Sequence, residues 1–225
     1  MNATNPTYLL TVQGLLGPKT LQEARAVHNS AAGAPANVAA ARSLSDLSHM
    51  VYTPMDPAFA AEGQFLFLDL WSKLDGLNTF FSNPQVQEAG GHIFRQRDPV
   101  IWEPADGFIS YHFPAPFGKN ERYVAMVRGM VRSRPEAQAI HNELVGTMIN
   151  QVRMAGDISH DAYFRVSGPG EPQSLEFCAI DVWMDAAGMG ATYQNPDFLR
   201  GFQRLFSAPP AASIWMHPEG EWSEW

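Results

Sequence analysis

The sequence predicts an α+β fold in which one β-α-β-β-α-β unit occurs twice in tandem. Two observations carry this. Matched blocks recur in a single order along the two halves, and each half passes through stretches of strand-like and helix-like periodicity separated by Pro and Gly.

The matches begin with DLSHMVY (46–52) and DISHDAY (157–163), 111 positions apart. YLLTVQG (8–14) returns as YVAMVRG (123–129), and EARAVHN (23–29) as EAQAIHN (136–142). LDLW (68–71) returns as IDVW (180–183), Asn83-Pro84 as Asn195-Pro196, and Ile101-Trp102 as Ile214-Trp215. Six blocks in one order, with offsets drifting by a few residues, are what duplication followed by small loop insertions produces. The repeat predicts one domain over 1–117 and a second over 118–225, joined by PAPFGKN (114–120). Two similar units around a pseudo-twofold axis are expected.

Within the first unit, Tyr8–Leu16 alternates and is rich in β formers, so it reads as a strand. Lys19–Ala32 carries good helix formers, and Pro35 should interrupt or end that helix. The matching helix of the second half should run from Pro135 to about Met154. Leu47–Pro54 and Gln64–Ser72 read as strands, with AEG (61–63) as a hairpin loop between them. Asp75–Phe81 and Pro84–Phe94 read as a helix broken before Pro84, and Pro99–Trp102 as a closing strand. This order is the split βαβ, or ferredoxin-like, pattern: a four-stranded antiparallel sheet with two helices on one face.

Composition narrows the function classes. The chain has 225 residues, 45% apolar and 17% charged, with a formal net charge of −8. An acidic surface repels phosphate backbones and anionic lipid, so neither nucleic acid nor membrane is an expected partner. The single cysteine, Cys178 in FCAI, makes no internal disulfide and reads as a buried thiol. The first residues lack the pattern of a signal peptide, and a cytoplasmic protein is expected, either a monomer with an intrachain pseudo-dimer or a homodimer.

Strand alternation assigns faces. Leu66, Leu68 and Leu70, like Cys178, Ile180 and Val182, are expected under the helices because those sides are wholly apolar. Phe67, Asp69 and Trp71, with Ala179, Asp181 and Trp183, are then expected to face the opposing sheet. In the second strand Leu47, His49 and Val51 are expected on the helix side, with Ser48 and Tyr52 opposite. His141 falls on the apolar stripe of its helix, and His28 with it. Each half therefore places two histidines in one helix–sheet gap.

His28, His49, His141 and His160 are the candidate catalytic residues, because imidazole titrates near neutral pH and can move protons to or from a bound substrate. Asn29 and Asn142 could bond an enolate or phenolate oxygen. Tyr52, Tyr163, Trp71 and Trp183 complete the candidate binding set. The competing reading makes the histidines fold-defining core groups bonded to backbone. Asp69 and Asp181 read as anchors between the halves or as backbone caps, with a catalytic base as the alternative; Asp46 and Asp157 read as turn residues. Two histidines per half fall short of an ordinary metal site. His92, His112 and His217 have no repeat partners and are expected at the surface.

The unit, with HN on its first helix, DLSH at the second strand, LDLW on the third, an NP-interrupted second helix and a closing IWEP strand, resembles the dimeric α+β barrel superfamily, most closely its antibiotic-biosynthesis-monooxygenase-like (ABM) branch. The resemblance implies that the two ferredoxin-like units pack sheet to sheet as an intrachain α+β barrel, with a pocket between helices and sheet. It implies a small-molecule enzyme, a cofactor-independent monooxygenase acting on a phenolic or quinone-like compound. Isomerases, cyclases and haem-using enzymes of the same superfamily, or a non-catalytic ligand-binding or stress-response protein, are the alternatives. The Asn…Trp-His context of the haem-degrading members is missing from the second helix, which has Asn78, Asn83 and His92.

Overall fold

A computed structural model describes residues 7–111 and 122–225. His112 and the joint at 114–120 lie outside the described residues. The chain divides into two compact units, Met1–Glu103 with His217–Trp225, and Pro104–Met216. This division departs from the repeat boundary at 117/118. The residues that follow each repeat's closing strand are packed into the other unit, and side-chain contacts described below hold them there.

In the first unit, β1 (Tyr8–Leu16), β2 (Asp46–Pro54), β3 (Gln64–Trp71) and β4 (Phe94–Pro104) form a sheet. The order is β4-β1-β3-β2, antiparallel throughout. The second unit repeats it as β8-β5-β7-β6, from β5 (Tyr123–Met130), β6 (Asp157–Arg165), β7 (Glu176–Trp183) and β8 (Ala211–Met216). β4 is longer than the short closing strand expected, because the pairing with β1 continues back to Phe94.

The helices follow local signals. Thr20 and Glu23 form a capping box at the start of α1 (Leu21–Ser30). Pro35 then begins a separate helix, α2 (Pro35–Ser43), where proline's missing N–H costs nothing at the first turn. The counterpart α6 (Arg134–Met154) has no such proline in its interior and runs unbroken. A short helix, α3 (Pro57–Ala61), occupies the β2–β3 connection before Gly63, which turns the chain at positive φ. The repeated Asn-Pro has a plain cause. Asn83 caps α5 (Pro84–Ile93) and Asn195 caps α8 (Pro196–Gln203), with proline as the first helical residue in each. α4 (Leu74–Phe81) and α7 (Ala186–Tyr193) precede them.

The apolar core of the first unit joins Val12, Val51, Phe65, Phe67 and Trp71 to Ala24 of α1 and Leu77 of α4. Phe67, Asp69 and Trp71 therefore lie under the helices, reversing the expected orientation of β3. Phe177, Ala179 and Trp183 do the same in the second unit. Both faces of β3 are buried, with Leu66 and Leu68 as inaccessible as Phe65 and Phe67, so apolarity could not choose between them. The choice follows from pairing: His49 stands directly opposite Asp69 in the ladder, and cross-strand partners share a face.

Leu47 also departs from expectation. A bulge between Asp46 and Ser48 leaves Leu47 half exposed and turns Asp46 to the side of His49. The same irregularity recurs between Asp157 and Ser159.

Candidate functional site

In the first unit, α1 and β2 bring His28 and His49 together, with their Nε2 atoms 2.9 Å apart. His49 Nδ1 meets the Asp69 carboxylate in a short contact. His28 Nδ1 lies 3.0 Å from Asn29 Oδ1. The second unit copies each link: His141 to His160 at 2.9 Å, His160 to Asp181 at 2.5 Å, and His141 to Asn142 at 3.1 Å.

The hydrogen bonds define the proton positions. Asn29 Nδ2 donates to Glu221 O and Asn29 Oδ1 accepts from Ser223 N, so that oxygen can only accept from His28. His28 Nδ1 therefore carries a hydrogen, its Nε2 accepts, and His49 donates from Nε2. His49 then donates from Nδ1 to Asp69 as an imidazolium. Titration behaviour agrees. Burial, followed by the charge on His49, lowers His28 to about 4. Burial opposes the charge on His49, but the charge and hydrogen bond of Asp69, with Asp46 and Glu224 behind them, raise it above its ordinary value. His141 and His160 are displaced in the same directions, His141 again to about 4.

Aromatic segments cover both pairs. Trp225 exchanges backbone hydrogen bonds with His49, stacks on its ring at 4.7 Å, and donates from Nε1 to Asp46 Oδ2 at 2.9 Å. Tyr111 exchanges backbone hydrogen bonds with His160 and donates its hydroxyl to Asp157. Trp222 packs on His28 and Phe108 on His141. Asn142 holds Gly107 O and Ile109 N as Asn29 holds Glu221 O and Ser223 N. Thus 107–111 and 221–225 are counterparts, 114 positions apart. The signal was present in the sequence as two aromatics three residues apart after each Ile-Trp.

The cavities differ. The first unit encloses about 200 Å³, lined by Asp46, His49, Asp69, Trp71, Phe81 and the small side of α5 among others. That exceeds the roughly 150 Å³ of an apolar cavity known to hold a benzene ring. The second unit retains about 50 Å³, beside both His141 and His160, enough for water and too little for an aromatic ring. Val86 and Gly90 line the larger cavity, whereas Phe198 and Phe202, at the same repeat positions, fill the smaller one.

The sequence candidates therefore separate. His49 and Trp71 line the first cavity, and His141, His160 and Trp183 the second. His28 is wholly buried behind His49. Asn29 and Asn142 hold the covering segments. Tyr52 and Tyr163 are buried outside both cavities; Tyr52 is cross-strand to Leu66, on the face away from His49. Asp69 and Asp181 pair with histidine where an anchor or backbone cap was expected. Asp46, expected as a turn residue, instead lines the cavity, and burial, reinforced by the charge on Asp69, raises it to about 7. His92 is exposed, His217 bonds Glu224, and Cys178 is buried with its thiol pushed up by that burial. Among the described residues no group of three or more His, Cys, Asp or Glu is placed to hold a metal ion, and no helix is long and apolar enough to cross a membrane.

No protein-family model and no curated protein matches the chain. Solved structures do. A candidate monooxygenase from Fusobacterium nucleatum is 9% identical, with a TM-score of 0.63 over 98% of this chain and 97% of that one. An anthrone oxidase-like protein is 12% identical, with a TM-score of 0.62 over 96% and 93%. A variant of chlorite dismutase from Candidatus Nitrospira defluvii is 10% identical, with a TM-score of 0.52 over 96% and 93%. At such identities the likeness establishes the fold.

Proposed function

We propose that the chain is a tandem pair of ferredoxin-like units of the ABM type, and that its first unit is a cofactor-independent oxygenase for a small phenolic or quinone-like molecule. The observation that carries the reading is Asp46, a carboxyl raised to about 7 at the wall of an apolar cavity large enough for an aromatic ring. A group that titrates near the working pH is a suitable general base. The names of the monooxygenase and anthrone oxidase-like neighbours agree with oxygen chemistry.

In this reading the base is a carboxylate. Both ring nitrogens of His49 are engaged, one with His28 and one with Asp69, so neither is free to accept a substrate proton. Asp46 takes a proton from an acidic C–H of the substrate. Arg97, held by Gln87 and lining the cavity, offers positive charge to the resulting anion. The anion reduces oxygen, the two recombine at carbon, and loss of water yields a ketone: R₂CH₂ + O₂ gives R₂C=O + H₂O. The substrate supplies all the electrons, and Asp46 returns its proton with the departing water. Haem fits this site poorly, because His28, His49, His141 and His160 all have both ring nitrogens in hydrogen bonds. The saturation of the histidines also favours a second reading, a non-catalytic binding protein.

The test is oxygen uptake with anthrones, hydroquinones and phenols in the presence of a chelator. Turnover that falls about 100-fold or more in Asp46→Asn is the expected result. No uptake across the panel, by a protein that still binds these molecules, overturns the oxygenase reading in favour of the binding protein.

A further inference from the structure

A hydroxyl that the second site contains is missing from the first. In the second unit Tyr193 donates its hydroxyl to Asp181 Oδ2 at 2.6 Å and accepts from Trp183 Nε1 at 3.1 Å. That single group completes both the carboxylate and the indole. The first unit has Phe81 at the matching position, 112 residues earlier. Its Trp71 is 1% exposed, and Trp71 Nε1 is buried without a hydrogen-bond partner. Among the described residues Asp69 has a partner for Oδ1, the ring of His49, and none for Oδ2. Leaving a buried donor without a partner is costly, and this one stands beside a cavity of about 200 Å³.

We propose that the second unit is a self-occupied copy of the site, and that the first unit takes from solution what Tyr193 supplies internally: a hydroxyaryl ligand whose hydroxyl donates to Asp69 Oδ2 and accepts from Trp71 Nε1. One aromatic ring fills the apolar cavity, and the hydroxyl is recognised by the two groups left open. A molecule without the hydroxyl leaves both unpaired and is rejected, since a site built to bond a hydroxyl discriminates strongly against an analogue lacking it. Only one unit per chain binds, because Tyr193, Phe198 and Phe202 occupy the other. The proposal rests on the first-unit cavity being the functional site and specifies its ligand chemistry.

The experiment uses p-cresol, the tyrosine side chain as a free molecule, with toluene as the control lacking only the hydroxyl. Titration calorimetry on the full chain should give one equivalent of p-cresol, bound at least tenfold more tightly than toluene. In ¹H–¹⁵N spectra the Trp71 indole N–H resonance should move on binding while that of Trp183 stays still. Phe81→Tyr should weaken p-cresol at least tenfold by filling the seat, and Trp71→Phe should weaken p-cresol more than toluene, narrowing the preference between them. Equal affinity for toluene, no p-cresol binding, two equivalents per chain, or a still Trp71 resonance each overturns the proposal. Binding as described without oxygen uptake leaves the seat intact and removes the oxygenase; oxygen uptake with no p-cresol seat does the reverse.

Discussion

His28 and Asp46 have opposite proton accounts. His28 is lowered from 6.5 to about 4, so between those values the unfolded chain binds a proton that the folded chain refuses. Its contribution to stability is present above pH 6.5 and is lost as pH falls towards 4. Asp46 is raised from 3.8 to about 7; its contribution is present below 3.8 and is lost as pH rises through 7. Over pH 4 to 6.5 the two largely offset. Asp46→Asn should therefore uncover the His28 term, its stability falling relative to wild type by about 3 kcal/mol from pH 6.5 to pH 4 in denaturant titrations. Histidine ¹⁵N spectra should show His28 as the neutral Nδ1–H tautomer throughout that window, charging only near pH 4, with His49 still an imidazolium above its ordinary value. A His28 that titrates near 6.5 would contradict the proton positions derived from Asn29. The pairing of His28 with His49 was legible in the sequence because helical spacing and strand alternation placed both in one gap. Asp46 was not, because its side depends on the bulge at Leu47.

At the scale of the element, a glycine shared by the two units shows how tightly α4 and α7 seat. A Cβ on Gly76 would lie 1.7 Å from Leu44 O, and one on Gly188 would lie 1.9 Å from Ala155 O. Both obstacles are backbone, so Gly76→Ala should cost about 3 kcal/mol or more in unfolding free energy. Gly190 lies in α7 with nothing within 4 Å of its Cβ position. Gly190→Ala should be neutral or stabilise by up to about 1 kcal/mol, since only helix propensity changes. Apart from the short α3, which was not expected between β2 and β3, the element order was readable from periodicity, including the break at Pro35 and the uninterrupted α6. The faces of β3 were not, because Leu66 and Leu68 on one side and Phe67 and Trp71 on the other are equally apolar; the ladder partner of Asp69 decides between them.

For the whole molecule, the two units share one strand order and have different interiors. An occupied first cavity should show as stability: p-cresol at 100 times its dissociation constant should add about 2.7 kcal/mol to unfolding. Phe81→Tyr should capture part of that gain without ligand, as a higher Tm that p-cresol no longer raises. The amino-acid sequence by itself determined the matched blocks of the two halves, the order of the strands and of the main helices, and the meeting of two histidines in each half. All of these are written in local periodicity and in repeated blocks. Only the tertiary structure decided that 104–111 and 217–225 join the opposite units, that Asp69 and Asp46 face the histidines, and that Phe81 leaves open a seat which Tyr193 fills. Those facts depend on which distant groups satisfy one another's hydrogen bonds, and no period along the chain records that.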